Sequence, residues 1–253
     1  DVVPEIERAE AAGFTTAWAS GRYDALIQLA LAGPRTKRIE LGTGIVTTWQ
    51  RHPMALAAQA LTVQSASDGR FTLGIGVGHR FMIEGSLGFE WKPIRHMREY
   101  LSVLRQMMAG ETVTYQGEEF HITSYKHSAA GLAAAPPIIV AALAPQMLRM
   151  TGRLADGTIV FLGGTRYLRE VAVPTITRAA HEAGRPAPRV IAGVPVWVTD
   201  RDPAALREKI APKLANYDQR PAYRAVLDAN GSARSADVVM IGNEKDVSAR
   251  LAE

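Results

Sequence analysis

The chain has 253 residues, 47% hydrophobic and 21% charged, a formal net charge of +4 and no cysteine. The missing cysteines exclude disulfides, thiolate nucleophiles and Cys-ligated zinc, and no run of 18 apolar residues suggests a membrane-spanning helix. Without a Lys/Arg block interleaved with aromatics, nucleic-acid binding is not expected, and the mild basicity fits either plain solubility or attraction of an anionic small ligand. No secretory leader pattern opens the chain, so a cytoplasmic location is expected.

In chain order, residues 2–12 read as a helix, with Pro4 in its first turn and Gly13 as its stop. A short strand (14–19) and a helix (24–31) follow, ended by Gly33-Pro34. The strand 39–46 ends in glycines, and Pro53 opens an Ala-rich helix to about Ser67, closed by Asp68-Gly69. The strand 71–77 lies within Arg70-Phe-Thr-Leu-Gly-Ile-Gly-Val-Gly78. Helix 97–109 sets Met97, Leu101, Leu104 and Met108 on one stripe. Residues 113–122 alternate around Gln116-Gly117 as a hairpin, and 124–137 read as loop. Then come a strand (138–142), a helix (145–154), a strand (158–162) before Gly163-Gly164, a helix (171–183) and a strand (190–198). Two helical stretches (203–217, then to Ala229) lead to a turn at Asn230-Gly231 and a last helix (244–253).

Strands and helices thus alternate about six times, and most strands are apolar runs, the mark of a sheet buried on both faces. The architecture this predicts is α/β, a (β/α)8 TIM barrel spanning 1–253 as one domain, with a hairpin and loop insertion at about 111–137. Six strands are visible, so the first and last strands of the barrel are expected to be missing from this sequence, one before Asp1 and one after Glu253. The helix after His52 is apolar nearly all round (Met54, Leu56, Ala57, Ala58, Ala60, Leu61, Val63), where an outer helix needs one stripe. A homodimer accounts for the second face; alanine's intrinsic helix propensity is the alternative.

Two strand ends stripped to glycine let a flat, phosphorylated ligand lie against main chain, at the barrel face where chemistry takes place. Gly74, Gly76 and Gly78 offer backbone N–H groups to a phosphate, or serve close packing. Trp49 either stacks on a ligand or caps a helix start. His52-Pro53 reads as a helix opening. His79 is the best titratable candidate for acid–base work, or else a phosphate-side or solvent histidine, and Arg166 reads as a solvated loop residue or an anion contact. No His/Asp/Glu cluster has metal-ligand spacing, so no metal is expected.

The segments Ile39-Glu-Leu-Gly-Thr-Gly-Ile45, Arg51-His52-Pro53, 68–78, Thr112-Val-Thr-Tyr-Gln-Gly-Glu-Glu-Phe-His121, Pro136-Pro-Ile-Ile-Val-Ala-Ala142 and Arg153-Leu-Ala-Asp-Gly157 together resemble the luciferase-like monooxygenase superfamily. Gly88-Phe-Glu-Trp-Lys-Pro93 and the hairpin resemble its coenzyme F420 branch, of the methylene-tetrahydromethanopterin reductase type. The resemblance implies a barrel with an insertion, usually dimeric, and a hydride transfer between the deazaflavin F420 and a small organic substrate. An FMN-dependent monooxygenase of the same superfamily is the rival, and a non-catalytic cofactor-binding relative the alternative of another class. It further implies a cis peptide at Gly44–Ile45 behind the ring, and a ring- and substrate-facing loop with Thr47, Thr48, Trp49 and Arg51. Amides of Val77, Gly78 and His79, after Gly76, would hold the cofactor's phosphate or ribityl tail, with Ala142, Leu143 and Ala144 as opposite wall ahead of the Pro145 helix. The family often has an Asp-His or Glu-His pair where this chain has Gly21-Arg22. Arg22 stays protonated and cannot shuttle protons, which leaves anion pairing, a different substrate, or a hydride transfer needing no base. His79 stands where some relatives place a catalytic Glu.

Overall fold

The computed structural model describes residues 2–21, 23–126 and 134–253. The fold divides into two compact units, Asp1–Ala141 with Leu154–Asp156, and Ala142–Arg153 with Gly157–Glu253.

In the first unit, α1 (Val3–Ala11) leads to β1 (Thr16–Ala19), α2 (Ala25–Ala32), β2 (Glu40–Thr43), β3 (Val46–Thr47), α3 (Pro53–Ala66), β4 (Phe71–Gly76), α4 (Arg80–Gly85) and α5 (Pro93–Met108). The hairpin β5 (Thr112–Gln116) and β6 (His121–Lys126) and the strand β7 (Ile138–Ala141) complete it. β1, β2, β4 and β7 pair in that order, all parallel, and β3 joins β4. Every residue of β4 is buried, as a strand covered on both faces requires.

Caps and prolines set the helix starts. Asp24 accepts from Leu26 N and Ile27 N to begin α2, and Nδ1 of His52 accepts from Met54 N to begin α3, with Pro53 in the first turn. Arg70, next to the Asp68-Gly69 turn, donates to the carbonyls of Gly33, Thr36 and Ile39. It thereby ties the entry of β4 to the entry of β2. Helix α5 buries Met97, Tyr100, Leu101, Val103, Leu104, Met107 and Met108, each large apolar side chain contributing about 1.5–3 kcal/mol. Its apolar stripe is the one the sequence predicts.

The second unit holds α6 (Pro145–Leu154), β8 (Gly157–Phe161), and α7 (Thr165–Tyr167) running through a π turn into α8 (Val173–Glu182). It continues with β9 (Arg189–Gly193), β10 (Val196–Val198), α9 (Pro203–Asp218), α10 (Pro221–Asn230), α11 (Ser235–Val238), β11 (Met240–Gly242) and α12 (Glu244–Leu251). β8 pairs with β9, and β10 with β11, both parallel.

Several expectations need correction. The strand expected at 39–46 is two strands, parted where the Gly44–Ile45 peptide is cis. The strand expected at 190–198 breaks at Val194-Pro195, since proline lacks the N–H a ladder needs. Residues 124–126, expected as loop, extend β6. Met240–Gly242 is a further parallel strand that three residues are too short to announce, so the count of six strands was short. The rest of the expected 124–137 loop includes 127–133, outside the described residues. Among the described residues no helix is long and apolar enough to cross a membrane.

Candidate active site

In the first unit, two loops leave the ends of β3 and β4 side by side. Thr48 N donates to Gly76 O at 3.1 Å, and the Trp49 indole N–H donates to Val77 O at 2.9 Å. The resemblance assigns ring contact to the first loop and phosphate contact to the second, and the structure fastens them to each other. Thr47 hydrogen-bonds Gln50 through its hydroxyl. Arg51 pairs with Asp24, the cap of α2, so its charge is already matched.

Trp49 does not stand alone. Its ring stacks on His96 at 3.8 Å between centroids and 7° between planes, with Phe89 at 5.6 Å and Trp91 at 6.3 Å. His96 lies in the first turn of α5 and is 4% exposed. Its Nδ1 is 2.6 Å from Glu119 Oε2, at the tip of the hairpin, and its Nε2 is 2.9 Å from Thr48 Oγ1. A carboxylate only accepts, so in the neutral ring Nδ1 carries the proton and Nε2 accepts from the Thr48 hydroxyl. Burial pushes the His96 pKa below its ordinary 6.5, outweighing the Glu119 hydrogen bond and the Glu119 and Glu99 charges that pull it up. The ring is therefore neutral at pH 7.

The hairpin tip is held by a second side chain of α5. Glu99 is 3% exposed and accepts from the backbone N–H groups of Glu118, Glu119 and Phe120 at 3.1, 3.0 and 3.3 Å. Burial pushes its pKa up, but those N–H groups, led by that of Glu119, win and leave it below the usual carboxylate range. A Cβ at position 117 would sit 2.2 Å from Glu99 Oε2, so Gly117 is what lets the carboxylate approach. Glu99→Ala is expected to cost about 3 kcal/mol, through three orphaned donors and a lost charged acceptor. Urea unfolding should read that loss, and the amides of 118–120 should exchange faster than the rest of the unit; a loss under 0.5 kcal/mol (~twofold) contradicts the assignment.

The glycines separate into two kinds. A Cβ on Gly42 would strike the Trp18 ring at 2.4 Å, on Gly74 the Thr43 carbonyl oxygen at 1.8 Å, and on Gly76 the Ile45 side chain at 2.9 Å and Ala141 at 3.2 Å. The room gained by these three is filled by the protein itself. Gly78 is different. It has φ +67°, and a Cβ there would make only ordinary contacts with Thr47 and Ile83, at 3.4 and 3.6 Å. Main chain left without a side chain and not packed tight by the protein therefore narrows to Gly78, between Val77 and His79, all three half-buried. His79 precedes α4 and stacks on Phe81 at 6.0 Å. Gly44 donates to Ala19 O at 2.8 Å and, with Ile45, is half-buried.

In the second unit, Ala142 is buried, Leu143 O accepts from the Tyr167 hydroxyl, and Ala144 O accepts from Leu148 N to begin α6. Burial raises the Tyr167 pKa to about 12. Arg166 pairs with Glu170 one turn on, with both side chains exposed. Arg22 lies outside the described residues. Within the first unit the structure therefore brings together Thr47, Thr48, Trp49, Gly76, Val77, Gly78 and His79. It adds His96 and Glu119, which the sequence reading did not single out. The one available signal was a histidine adjoining the apolar stripe of α5.

Comparison with known proteins bears on this arrangement. Residues 1–250 match the family described as luciferase-like monooxygenase. The chain is 32% identical over 233 residues to an uncharacterized protein of Mycobacterium tuberculosis, covering 87% of this chain and 68% of that one. It is 31% identical over 187 residues to 5,10-methylenetetrahydromethanopterin reductase of Archaeoglobus fulgidus, covering 71% of this chain and 54% of that one, so the match spans about half of the reductase. The coenzyme F420-dependent tetrahydromethanopterin reductase of Methanopyrus kandleri superposes with a TM-score of 0.76 at 27% identity, over 91% of this chain and 72% of that one. The α/β fold is shared with it.

Proposed function

This chain belongs to the luciferase-like monooxygenase family, and on that premise we propose that it is an oxidoreductase of the (β/α)8 type, transferring a hydride between coenzyme F420 and a small organic substrate. The observation that carries the reading is the fastening of the Thr47–Thr48–Trp49 loop to the Val77–Gly78–His79 turn. That turn fits an anionic, planar cofactor: its central residue lacks a Cβ, has positive φ, and is not packed tight by the protein. Backbone amides of Val77, Gly78 and His79 would hold the phosphate or the ribityl tail, and Gly44, Ile45, Thr47 and Thr48 would support the ring. When bound, the deazaflavin supplies a carbon that carries a hydride and reacts poorly with oxygen.

The chain's own residues do the rest. Trp49, clamped by His96 and Val77 O, gives the loop a fixed aromatic wall. His79 is the titratable group best placed to hold or accept a proton at its ring nitrogen beside that turn. Arg22 stays charged and serves to pair an anion, not to move a proton. The exposed Met54 and Ala55 of α3, with half-buried Ala58, and the exposed Ile27 and Leu31 of α2 are the surface through which a homodimer would form.

Titrating the purified protein with F420 and, separately, FMN tests the reading, with tryptophan emission as the binding signal. Saturable F420 binding, reduction of the bound cofactor by a substrate from a panel of alcohols, aldehydes, enones and pterins, and a dimer mass in sedimentation are expected. FMN binding with reoxidation in air turns the reading to a monooxygenase. Saturable F420 binding with no turnover across the panel turns it to a binding protein. Saturation by neither overturns it.

A further inference from the structure

His96 is not among the residues that the family resemblance brings to the site, yet the arrangement around it exceeds what packing needs. Three side chains from two other elements converge on one buried imidazole: Glu119 from the hairpin tip, and Thr48 and Trp49 from the loop after β3, the latter across its face. The Thr48 hydroxyl has one proton and two acceptors within reach: His96 Nε2 at 2.9 Å and Gly76 O at 3.4 Å. The shorter distance says where the proton goes when the ring is neutral. A protonated ring carries a proton on both nitrogens, so Nε2 must donate to Thr48 Oγ1, and the hydroxyl proton must turn to Gly76 O.

We propose that His96 is a positioning residue of the cofactor site, whose protonation reverses the hydrogen bond to Thr48 and so shifts the Thr48–Trp49 loop away from its binding geometry. The inference rests on reading that loop as cofactor-facing. No atom changes bonding partner other than the proton: one is taken from water onto Nε2, and the Thr48 hydroxyl rotates. The groups facing His96 are Glu99 and Tyr100 of α5, Glu119 and Phe120 of the hairpin, and Thr48 and Trp49 of the loop. Arg95 pairs with both Glu118 and Glu119, which moderates the hairpin's negative charge. Burial prevails over what remains, so the switch lies below the ordinary histidine range.

The first test needs no cofactor. Ring nitrogen NMR of 15N-histidine-labelled protein, with His96 assigned by its loss in His96→Gln, should show the Nδ1–H tautomer at pH 7. Titration should occur below 6.5, with Trp49 emission falling over the same range. An Nε2–H tautomer, or titration at the ordinary value, overturns the proposal. The second test uses F420, or FMN if that is what binds. Wild-type affinity should fall about tenfold as His96 protonates, the worth of one rearranged hydrogen bond. By reciprocity the bound cofactor should lower the His96 pKa. His96→Gln can present an amide oxygen to the Thr48 hydroxyl but does not titrate. Whatever its affinity at neutral pH, that affinity should stay flat across the pH range in which wild-type His96 titrates, so the acid step is lost. If the variant binds but keeps that step, His96 is not its source, and the proposal fails. If it does not fold, His96 is assigned in the wild type by the through-space contact of its ring with Trp49, and the NMR titration still decides. If neither cofactor binds, the proposed function fails, while the ring NMR still decides whether the switch exists.

Discussion

Gly74→Ala is expected to leave no stably folded first unit. The added Cβ would sit 1.8 Å from the Thr43 carbonyl oxygen and 3.0 Å from its carbon. Both atoms are backbone of the neighbouring strand, so no rotamer change relieves the clash. The two strands are also stitched side chain to main chain at this level. Thr43 Oγ1 donates to Gly74 O at 2.7 Å and accepts from Gly74 N at 2.8 Å. Separating β2 from β4 far enough to admit a methyl group breaks both bonds and loosens a fully buried strand. A loss above about 4 kcal/mol is the expected size, in the range of severe core overpacking. Gly85→Ala is the control. Nothing lies within 4 Å of its Cβ position and its φ is not positive, so its stability should match wild type within about 0.5 kcal/mol. Urea unfolding followed by circular dichroism reads both. A Gly74→Ala protein unfolding within 1 kcal/mol (~fivefold) of wild type would contradict the packing described.

The same glycine shows how far the sequence speaks and where it stops. Prolines at helix starts (Pro53, Pro145, Pro203), apolar runs for strands and the stripe of α5 all report local conformation, and local conformation is what one-dimensional patterns encode. A glycine at a strand end likewise reports that a Cβ is excluded. It does not report what excludes it. At positions 42, 74 and 76 the excluding atoms are Trp18, Thr43, Ile45 and Ala141, not a ligand, and this depends on which strands become neighbours. The His96–Glu119 pair was illegible for the same reason. The two residues are 23 apart, one on a helix and one on a hairpin tip, and no period links them. What brings them together is Glu99, three residues after His96 on the same face of α5, gripping the hairpin tip. β11 escaped notice because Met240–Gly242 is shorter than any pattern that could signal it.

Gly78→Val is expected to abolish cofactor binding while leaving a folded protein, and the structure separates the two effects. Val77 O is engaged by the Trp49 indole. In a trans peptide the N–H of the next residue points the opposite way, so the Gly78 amide faces away from Trp49. Positive φ at Gly78 turns the chain there at +67°. A non-glycine residue in that region costs about 1–2 kcal/mol, and a branched side chain is among the worst tolerated. That is a sizeable but survivable loss for a domain of about 5–15 kcal/mol total stability. Binding should suffer more. If the 77–79 amides hold the cofactor's anionic part, a valine either turns the peptide out of line or covers it, and a rise in Kd of at least about 100-fold, 2.7 kcal/mol, is expected. Gly78→Ala distinguishes these causes. Its Cβ meets Thr47 and Ile83 only at ordinary contact distance, so a loss as large as valine's would point to backbone direction, and a small loss to steric cover. Tryptophan emission during titration, on variants first shown to unfold cooperatively, gives the comparison. A folded Gly78→Val protein that binds F420 and FMN as wild type does would remove the amides of residues 77–79 from the site.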